Sequence, residues 1–214
     1  MNPQVSCPLC LQTKIQSSFI NLQRTFYECA NCSLVFVDPQ HHLNKESEKK
    51  RYETHQNDIL DPGYQKFVTP LFEIIKSKVS VEKSGLDFGA GTGPVLAKLL
   101  NDCGFKIELY DPFFHPNPTA LEKKYDFIFA SEVAEHFYSP QREFSLLDSL
   151  LEPSGFLFLM TLIMTEQTPR ETWFYLKDPT HVCAYSLKTF EWIKKRYHFS
   201  KMEVFEPRVV AFEK

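Results

Sequence analysis

Glycine is scarce in this chain, with seven residues among 214. Four of the seven (Gly85, Gly89, Gly91, Gly93) fall in one stretch, GLDFGAGTGP, at residues 85–94. So sparing a sequence places glycine where the backbone needs positive φ or where another group must come close. Long apolar runs are also lacking. The longest, GFLFLMTLIM (155–164), is about half of what a membrane-spanning helix needs, so no membrane role is expected. There is no excess of positive charge either: the net charge is −3, which excludes an overall field drawing the chain to nucleic acid or anionic lipid. The start, MNPQVSCPLC, has no basic segment leading into an apolar run, so a cytoplasmic protein without a secretory signal is expected. Two phosphate-binding motifs are missing. The pattern G-x-G-x-x-G fails at Pro94 when begun from Gly89 and at Leu96 when begun from Gly91, and G-x-x-x-x-G-K-[ST] does not occur.

What is present begins with cysteine. Cys7 and Cys10 form one C-x-x-C, Cys29 and Cys32 a second, eighteen residues on, while Cys103 and Cys183 stand alone. In a reducing compartment, two such knuckles read as a metal site rather than as disulfides. Four thiolates complete a tetrahedral sulfur set that suits Zn2+, and a closed set of four leaves no open position for chemistry, so the expected zinc is structural. The second knuckle lies in TFYECANCSLVFV, a β-rich alternating run that fits a ribbon hairpin. Leu11 and Ser33 occupy the positions after each knuckle where ribbons commonly carry glycine, and Asn31 is a residue able to take a left-handed turn. Residues 1–40 are therefore read as a zinc ribbon.

Residues 41–83 change character. HHLNKESEKKRYETHQND is polar and charged, a linker entering a helix. GYQKFVTPLFEIIKSKVS then places Phe67, Leu71, Ile74, Ile75 and Val79 at helical spacing, with Pro70 allowing a kink. This segment is read as a helical connection packed on the main domain. From residue 84 the chain alternates strand and helix: SGLDFG, GPVLAKLLNDCG, FKIELYD, YDFIFASE, PQREFSLLDSLLEPSG, GFLFLMTLIM and SLKTFEWIKKRYHF. KMEVFE and RVVAFE close it as an antiparallel pair about Pro207. The expected fold is α/β, a doubly wound, mostly parallel sheet with a C-terminal antiparallel hairpin, spanning 84–214.

The glycine stretch is D-x-G-x-G-x-G: Asp87, Gly89, Gly91, Gly93. Alternating glycines let a ligand lie against bare backbone, and a carboxylate at the strand end suits a cationic, amino-acid-bearing cofactor better than a pyrophosphate. The second strand ends in Asp111, placed to accept hydrogen bonds from a ribose diol.

Taken with YDFIFASEVAEHF, LLEPSGFLFLMT and the terminal hairpin, LDFGAGTG and Asp111 resemble the Rossmann-like class I S-adenosylmethionine-dependent methyltransferases. The whole chain is similar to a subgroup in which a zinc ribbon precedes the catalytic domain. The resemblance implies that Gly89, Gly91 and Gly93 bed the methionine part of S-adenosylmethionine. It implies that Asp87 holds the ammonium and Asp111 the ribose, and that Ser131 and Glu132 line the sulfonium side. One departure stands out. Only fourteen residues, PFFHPNPTALEKKY, separate Asp111 from Asp126, too few for the β–α–β unit that family members fit there. A stub strand is the most they allow, with Phe113 or Phe114 stacking on adenine.

Methyl transfer to oxygen or carbon requires a proton to leave the acceptor, and histidine is the natural base. His181, in WFYLKDPTHVCAYS, and His136, in EVAEHF, are the candidate catalytic residues, with Glu135 and Glu166 behind them. Trp173, Phe174, Tyr175 and Tyr185 are available as an apolar acceptor wall, and Cys183 reads as a buried thiol. The resulting expectation is a small-molecule methyltransferase. Two alternatives remain. One is an RNA methyltransferase presenting substrate through its ribbon, although residues 1–40 carry Lys14 and Arg24 against Glu28 and Asp38, no footprint for a phosphate backbone. The other is a noncatalytic binding protein with a degenerate adenine pocket.

Overall fold

The computed structural model describes residues 5–54 and 58–214, so the first four residues of the expected ribbon and residues 55–57 of the expected connection lie outside it. The ribbon forms β1 (Ile15–Asn21), β2 (Arg24–Cys29) and β3 (Val35–Val37). Two helices follow, α1 (Lys45–Glu53) and α2 (Pro62–Lys78). The remainder runs β4 (Ser84–Phe88), α3 (Val95–Asp102), β5 (Lys106–Tyr110), β6 (Tyr125–Ser131), α4 (Pro140–Leu150), β7 (Leu151–Met160), β8 (Cys183–Ala184), α5 (Leu187–Arg196), β9 (Lys201–Phe205) and β10 (Val209–Glu213).

Six strands form one sheet in the order β5-β4-β6-β7-β10-β9. Those from β5 to β7 are parallel and β10 is antiparallel to both its neighbours, as the alternation and the closing hairpin predict. Because neighbouring strand residues face opposite sides, the sheet carries two cores. On one face Phe127, Phe129, Phe158 and Met160 pack under α2 and α3, through Leu71, Ile75, Leu96 and Leu100. On the other, Leu86, Ile128, Leu157 and Phe212 meet α4 and α5 and run without a break into Cys7, Leu9 and Phe26 of the ribbon. Gly85 is required by this packing, since a Cβ there would sit 2.4 Å from Phe127 Cζ.

Three local readings differ in the structure. The helix at 62–78 runs through Pro70 unbroken, started by the Asp61 side chain accepting from Gly63 N. The buried strand begins at Leu151 directly after α4, four residues before the apolar run, and accommodates its extra residues as a bulge between the Tyr125–Leu151 and Phe127–Phe156 pairs. Between Asp111 and Asp126 there is a 3-10 turn at Pro118–Leu121 and a single bridge from Asp111 to His115, and no stub strand.

The two cysteine knuckles have the same hydrogen bonding. Cys7 N donates to Gln12 O and Leu11 N returns to Cys7 O; Cys29 N donates to Leu34 O and Ser33 N returns to Cys29 O. This geometry puts Leu11 and Ser33 themselves in the left-handed region, at φ 62° and 56°, and Asn31, the residue expected to turn, does not take it. Leu11 is 62% exposed, so its side chain contributes little to offset the backbone strain. Replacing it with glycine removes a cost of about 1–2 kcal/mol against a loss of chain entropy of about 0.5–1 kcal/mol. The Leu11→Gly variant is expected to be more stable in urea denaturation by up to about 1 kcal/mol; a lower midpoint would refute the strain.

A feature with no signal in the sequence joins the two parts. β3 pairs antiparallel with β8, through Val35–Ala184 and Phe36–Cys183, making a four-stranded sheet β1-β2-β3-β8. Cys183, read as a buried thiol, is one, and its Sγ donates to Phe137 O.

Candidate active site

β4 lies between β5 and β6, so the chain leaves its end first to one side and later to the other. Such a switch point opens a crevice at the carboxyl ends of the strands, where α/β sheets bind ligands. A cavity of about 1090 Å³ occupies it, walled by residues 87–96 after β4, residues 110–114 after β5 and residues 131–133 after β6. Seven of the candidates Asp87, Gly89, Gly91, Gly93, Asp111, Ser131, Glu132, His136 and His181 are the expected cofactor residues, and the structure brings all nine to this one cavity.

The glycines differ in what they do. Gly89 has φ 85°, and a Cβ on it would lie 2.6 Å from Val133 Cγ2, so it is required by packing as well as by conformation. Gly91 has φ 61° and open space where a Cβ would point. It leaves bare backbone beside the cavity, while Gly93 O accepts from Val95 N as α3 begins.

Asp87 is 4% exposed, and among the described residues no cationic side chain lies within ion-pairing distance of it. Burial, then the charge of Asp111, pushes its carboxyl up to about 8. A buried carboxyl group beside open space is a place where a cationic ligand group could be paired. Asp111, in turn, is engaged with the backbone. Its Oδ2 accepts from Gly91 N at 3.0 Å, and its Oδ1 from Phe113 N and Phe114 N at 2.8 and 3.0 Å. It ties the glycine turn to the turn after β5. Oδ2, with one of its lone pairs used, keeps capacity for a ribose hydroxyl.

On the far side, Ser131 Oγ contacts Met160 Sδ at 3.6 Å. Glu132 has φ 54° and is anchored by its N–H to Met160 O. Burial and the neighbouring Glu135 push its carboxyl up to about 8, although Arg208 Nη1 donates to it at 3.2 Å. His136 closes a 3-10 turn, Ala134–His136, and His181 sits on the loop before β8; their rings meet edge to face with centroids 4.8 Å apart. His136 is held below the ordinary histidine value by burial, and His181 is brought down to about 3 by burial and then by His136. Both are neutral imidazoles at ordinary pH. Of the four aromatics expected as a wall, Tyr175 and the exposed Phe174 line the cavity, while Trp173 and Tyr185 are core residues outside it. Glu166 is outside too, exposed and 3.7 Å from Lys188.

α1 covers this mouth. Arg51 Nη2 is 2.6 Å from Asp178 Oδ2, Tyr52 meets the His136 ring edge-on at 5.2 Å, and Lys45 lies over the Phe113 ring at 5.7 Å. The ribbon reaches the same loop from the other side. Arg24 donates to the carbonyls of Leu176, Asp178, Pro179 and His181, and Asn21 to those of Arg170 and Trp173. None of these contacts had a sequence signal, because each joins segments far apart in the chain. Glu135, named from the sequence behind the two histidines, is fully buried beside His136.

In the ribbon, all four cysteine sulfurs lie within 4.8 Å of one another, with Cys7–Cys32 at 3.5 Å and Cys10–Cys29 at 3.4 Å. A tetrahedral zinc with bonds of about 2.3 Å sets its sulfurs about 3.8 Å apart, so the cluster fits such an ion.

Residues 59–204 match the family described as a methyltransferase domain. No curated protein sequence matches the chain. Among solved structures, a 1,6-didemethyltoxoflavin-N1-methyltransferase from Burkholderia thailandensis shares 13% identity at a TM-score of 0.54, over 92% of this chain and 97% of that one. Human N-acetylserotonin methyltransferase, solved with S-adenosylmethionine, shares 12% at 0.55, over 79% of this chain and 57% of that one. An O-methyltransferase family protein from B. thailandensis shares 14% at 0.52, over 70% and 56%. The chain thus spans little more than half the length of the last two. Among the described residues no helix is long and apolar enough to cross a membrane. A mostly parallel sheet with this strand order, a glycine turn at its switch point and a family match across most of its length have one reading: the chain belongs to the methyltransferase-domain family.

Proposed function

We propose that the chain methylates a small-molecule acceptor and that its four-cysteine cluster holds a structural zinc ion. The observation that carries the first part is the continuity of the cavity. One end has the buried Asp87 and the glycine turn; the other has His136, His181, Tyr52 and Tyr175 beneath α1. A walled space of this kind suits a compact acceptor, and the acceptors named for the toxoflavin and N-acetylserotonin enzymes are small molecules as well.

In this reading Asp87 takes the cofactor's ammonium, Asp111 its ribose, and Gly89, Gly91 and Gly93 its methionine chain, with Ser131 and Glu132 beside the sulfonium. When bound, S-adenosylmethionine supplies an electrophilic methyl carbon whose leaving group needs no protonation. The protein therefore has to align the acceptor and receive its proton. His136 and His181 face the acceptor side as neutral rings, each with a lone pair for an O–H or N–H, while the aromatic rings exclude water.

Calorimetric titration with S-adenosylmethionine and S-adenosylhomocysteine, followed by methyl transfer to small acceptors and to RNA, tests this reading. Micromolar cofactor binding with transfer to a small molecule supports it. Transfer to RNA alone would replace it, and absence of cofactor binding in folded, zinc-loaded protein would end it.

A pH dependence follows from Asp87. The folded, cofactor-free protein keeps this proton up to about pH 8, whereas an unfolded aspartate loses it near 4. The group's contribution to stability is therefore fully present at low pH and is lost as pH rises from about 4 to 8, at up to about 1.4 kcal/mol per unit. The cofactor's ammonium pairs with the ionised form, so its binding expels the proton. Affinity is expected to climb by up to about tenfold per unit between pH 6 and 8 and then level. Heats that vary with the buffer's ionisation enthalpy would reveal the proton. Affinity flat over that range would contradict the assignment.

A further inference from the structure

Two donors in the cavity wall, His136 and His181, and a third buried behind them, Glu135, have more binding capacity than the protein uses. Glu135, His136 and His181 each bring a ligand-capable atom to within 4.8 Å of the other two. His136 Nδ1 lies 3.0 Å from Thr180 O, and His181 Nδ1 lies 2.6 Å from Tyr175 O. A carbonyl has no proton to give, so both Nδ1 atoms carry the hydrogen and both Nε2 atoms keep a lone pair. Donation of one ring N–H to a backbone carbonyl is how metal-binding histidines are oriented. Glu135 is fully buried. Its Oε1 accepts from Tyr175 Oη, which also meets Thr161 Oγ1 at 3.0 Å. Among the described residues its Oε2 has no hydrogen-bond partner, and a buried oxygen left without one is costly.

We propose that Glu135, His136 and His181 form a mononuclear site for a divalent first-row metal cation on the acceptor side of the cavity. Two imidazoles and one carboxylate are the donor mixture that zinc, iron(II) and manganese accept, and three protein ligands leave coordination positions for a substrate oxygen. Bonds of about 2.0–2.2 Å require the donors to draw together from their present separations. His181 lies on a loop, which makes that adjustment local. The inference rests on reading this end of the cavity as the acceptor site, and it gives the two histidines a joint task there. An acceptor hydroxyl bound to the cation is acidified. Its O–H bond breaks with the proton passing to water, its oxygen forms the new bond to the methyl carbon, and the sulfur–carbon bond breaks with its electron pair remaining on sulfur.

The test is metal binding, measured without any acceptor. Protein holding one equivalent of zinc in its cysteine cluster is titrated with manganese and with cobalt(II), by calorimetry and by the cobalt visible spectrum. A second equivalent is expected, with nitrogen and oxygen ligation and no thiolate charge-transfer band. It should disappear in His136→Ala and His181→Ala, and weaken about 10- to 100-fold in Glu135→Gln, while cofactor affinity stays within about twofold. The same titration on the wild-type protein decides the matter even if a variant fails to fold. No second equivalent, or one that survives in all three variants, overturns the site. Neither result touches the methyltransferase reading, which depends on cofactor binding and methyl transfer.

Discussion

Asp87→Asn is expected to weaken S-adenosylmethionine binding about 150- to 5,000-fold while making the cofactor-free protein more stable at pH 8. Both effects come from one charge. The carboxyl group is buried with no cation beside it among the described residues, and burial has raised it to about 8, so at that pH the empty protein bears the cost of ionising it. The amide has no such cost. Bound to the cofactor, however, the carboxylate pairs with an ammonium, and removing one partner of a buried pair costs about 3–5 kcal/mol, the source of the fold-change. Calorimetry and urea denaturation on the two proteins read the two quantities separately. Equal affinity in the variant would remove Asp87 from the cofactor site; weaker binding together with a less stable apo protein would make it a structural acid instead.

The second large effect is expected on removing metal from the ribbon. Chelation, or Cys29→Ala, should release the loop at 165–181 as well as the knuckles. Arg24 and Asn21 project from β2 and the end of β1 onto six backbone carbonyls of that loop, and Arg170 is paired with the buried Glu28 of β2. Metal-binding free energy in small cysteine sites is folding free energy, so under the proposal of a structural zinc these anchors depend on the ion. Hydrogen exchange at Trp173–Val182 is expected to accelerate by at least about 100-fold, the equivalent of about 2.7 kcal/mol, whereas β4 and β6 keep their protection. Arg24→Ala should reproduce part of the loop effect with zinc retained. Exchange confined to residues 5–37 would show that the ribbon and the loop are independent.

How far the sequence carried the reading depends on the range of each contact. The cysteine knuckles and the D-x-G-x-G-x-G turn are local patterns whose geometry is set within a few residues, and both lie where their spacing places them. The sheet order follows from strand–helix alternation, which is also local in origin. Asp111 was legible as a strand-end acid, but its three backbone donors were not, since Gly91 returns to it from the preceding loop. The left-handed residue of the second knuckle went to Ser33 because the hydrogen bond from its N–H to Cys29 O fixes the turn regardless of side-chain preference. Arg24 and the β3–β8 pairing had no signal at all. Their partners lie far along the chain, and nothing in RTFYEC or HVCAYS marks an interaction with the other.

That last pairing also bears on how the molecule comes into being. Val35 and Phe36 are synthesised long before the strand they join, Cys183–Ala184. The knuckles can capture metal during synthesis, but β3 waits with an open edge until the rest has been made, and non-local closure of this kind is slow and exposed to aggregation. The ribbon is thus not a cassette to be excised or exchanged. A shortened chain starting at residue 84 would emerge with β8 unpaired and, with α2 gone, the apolar surface at Phe158 and Met160 uncovered, and it is expected to be recovered as insoluble material.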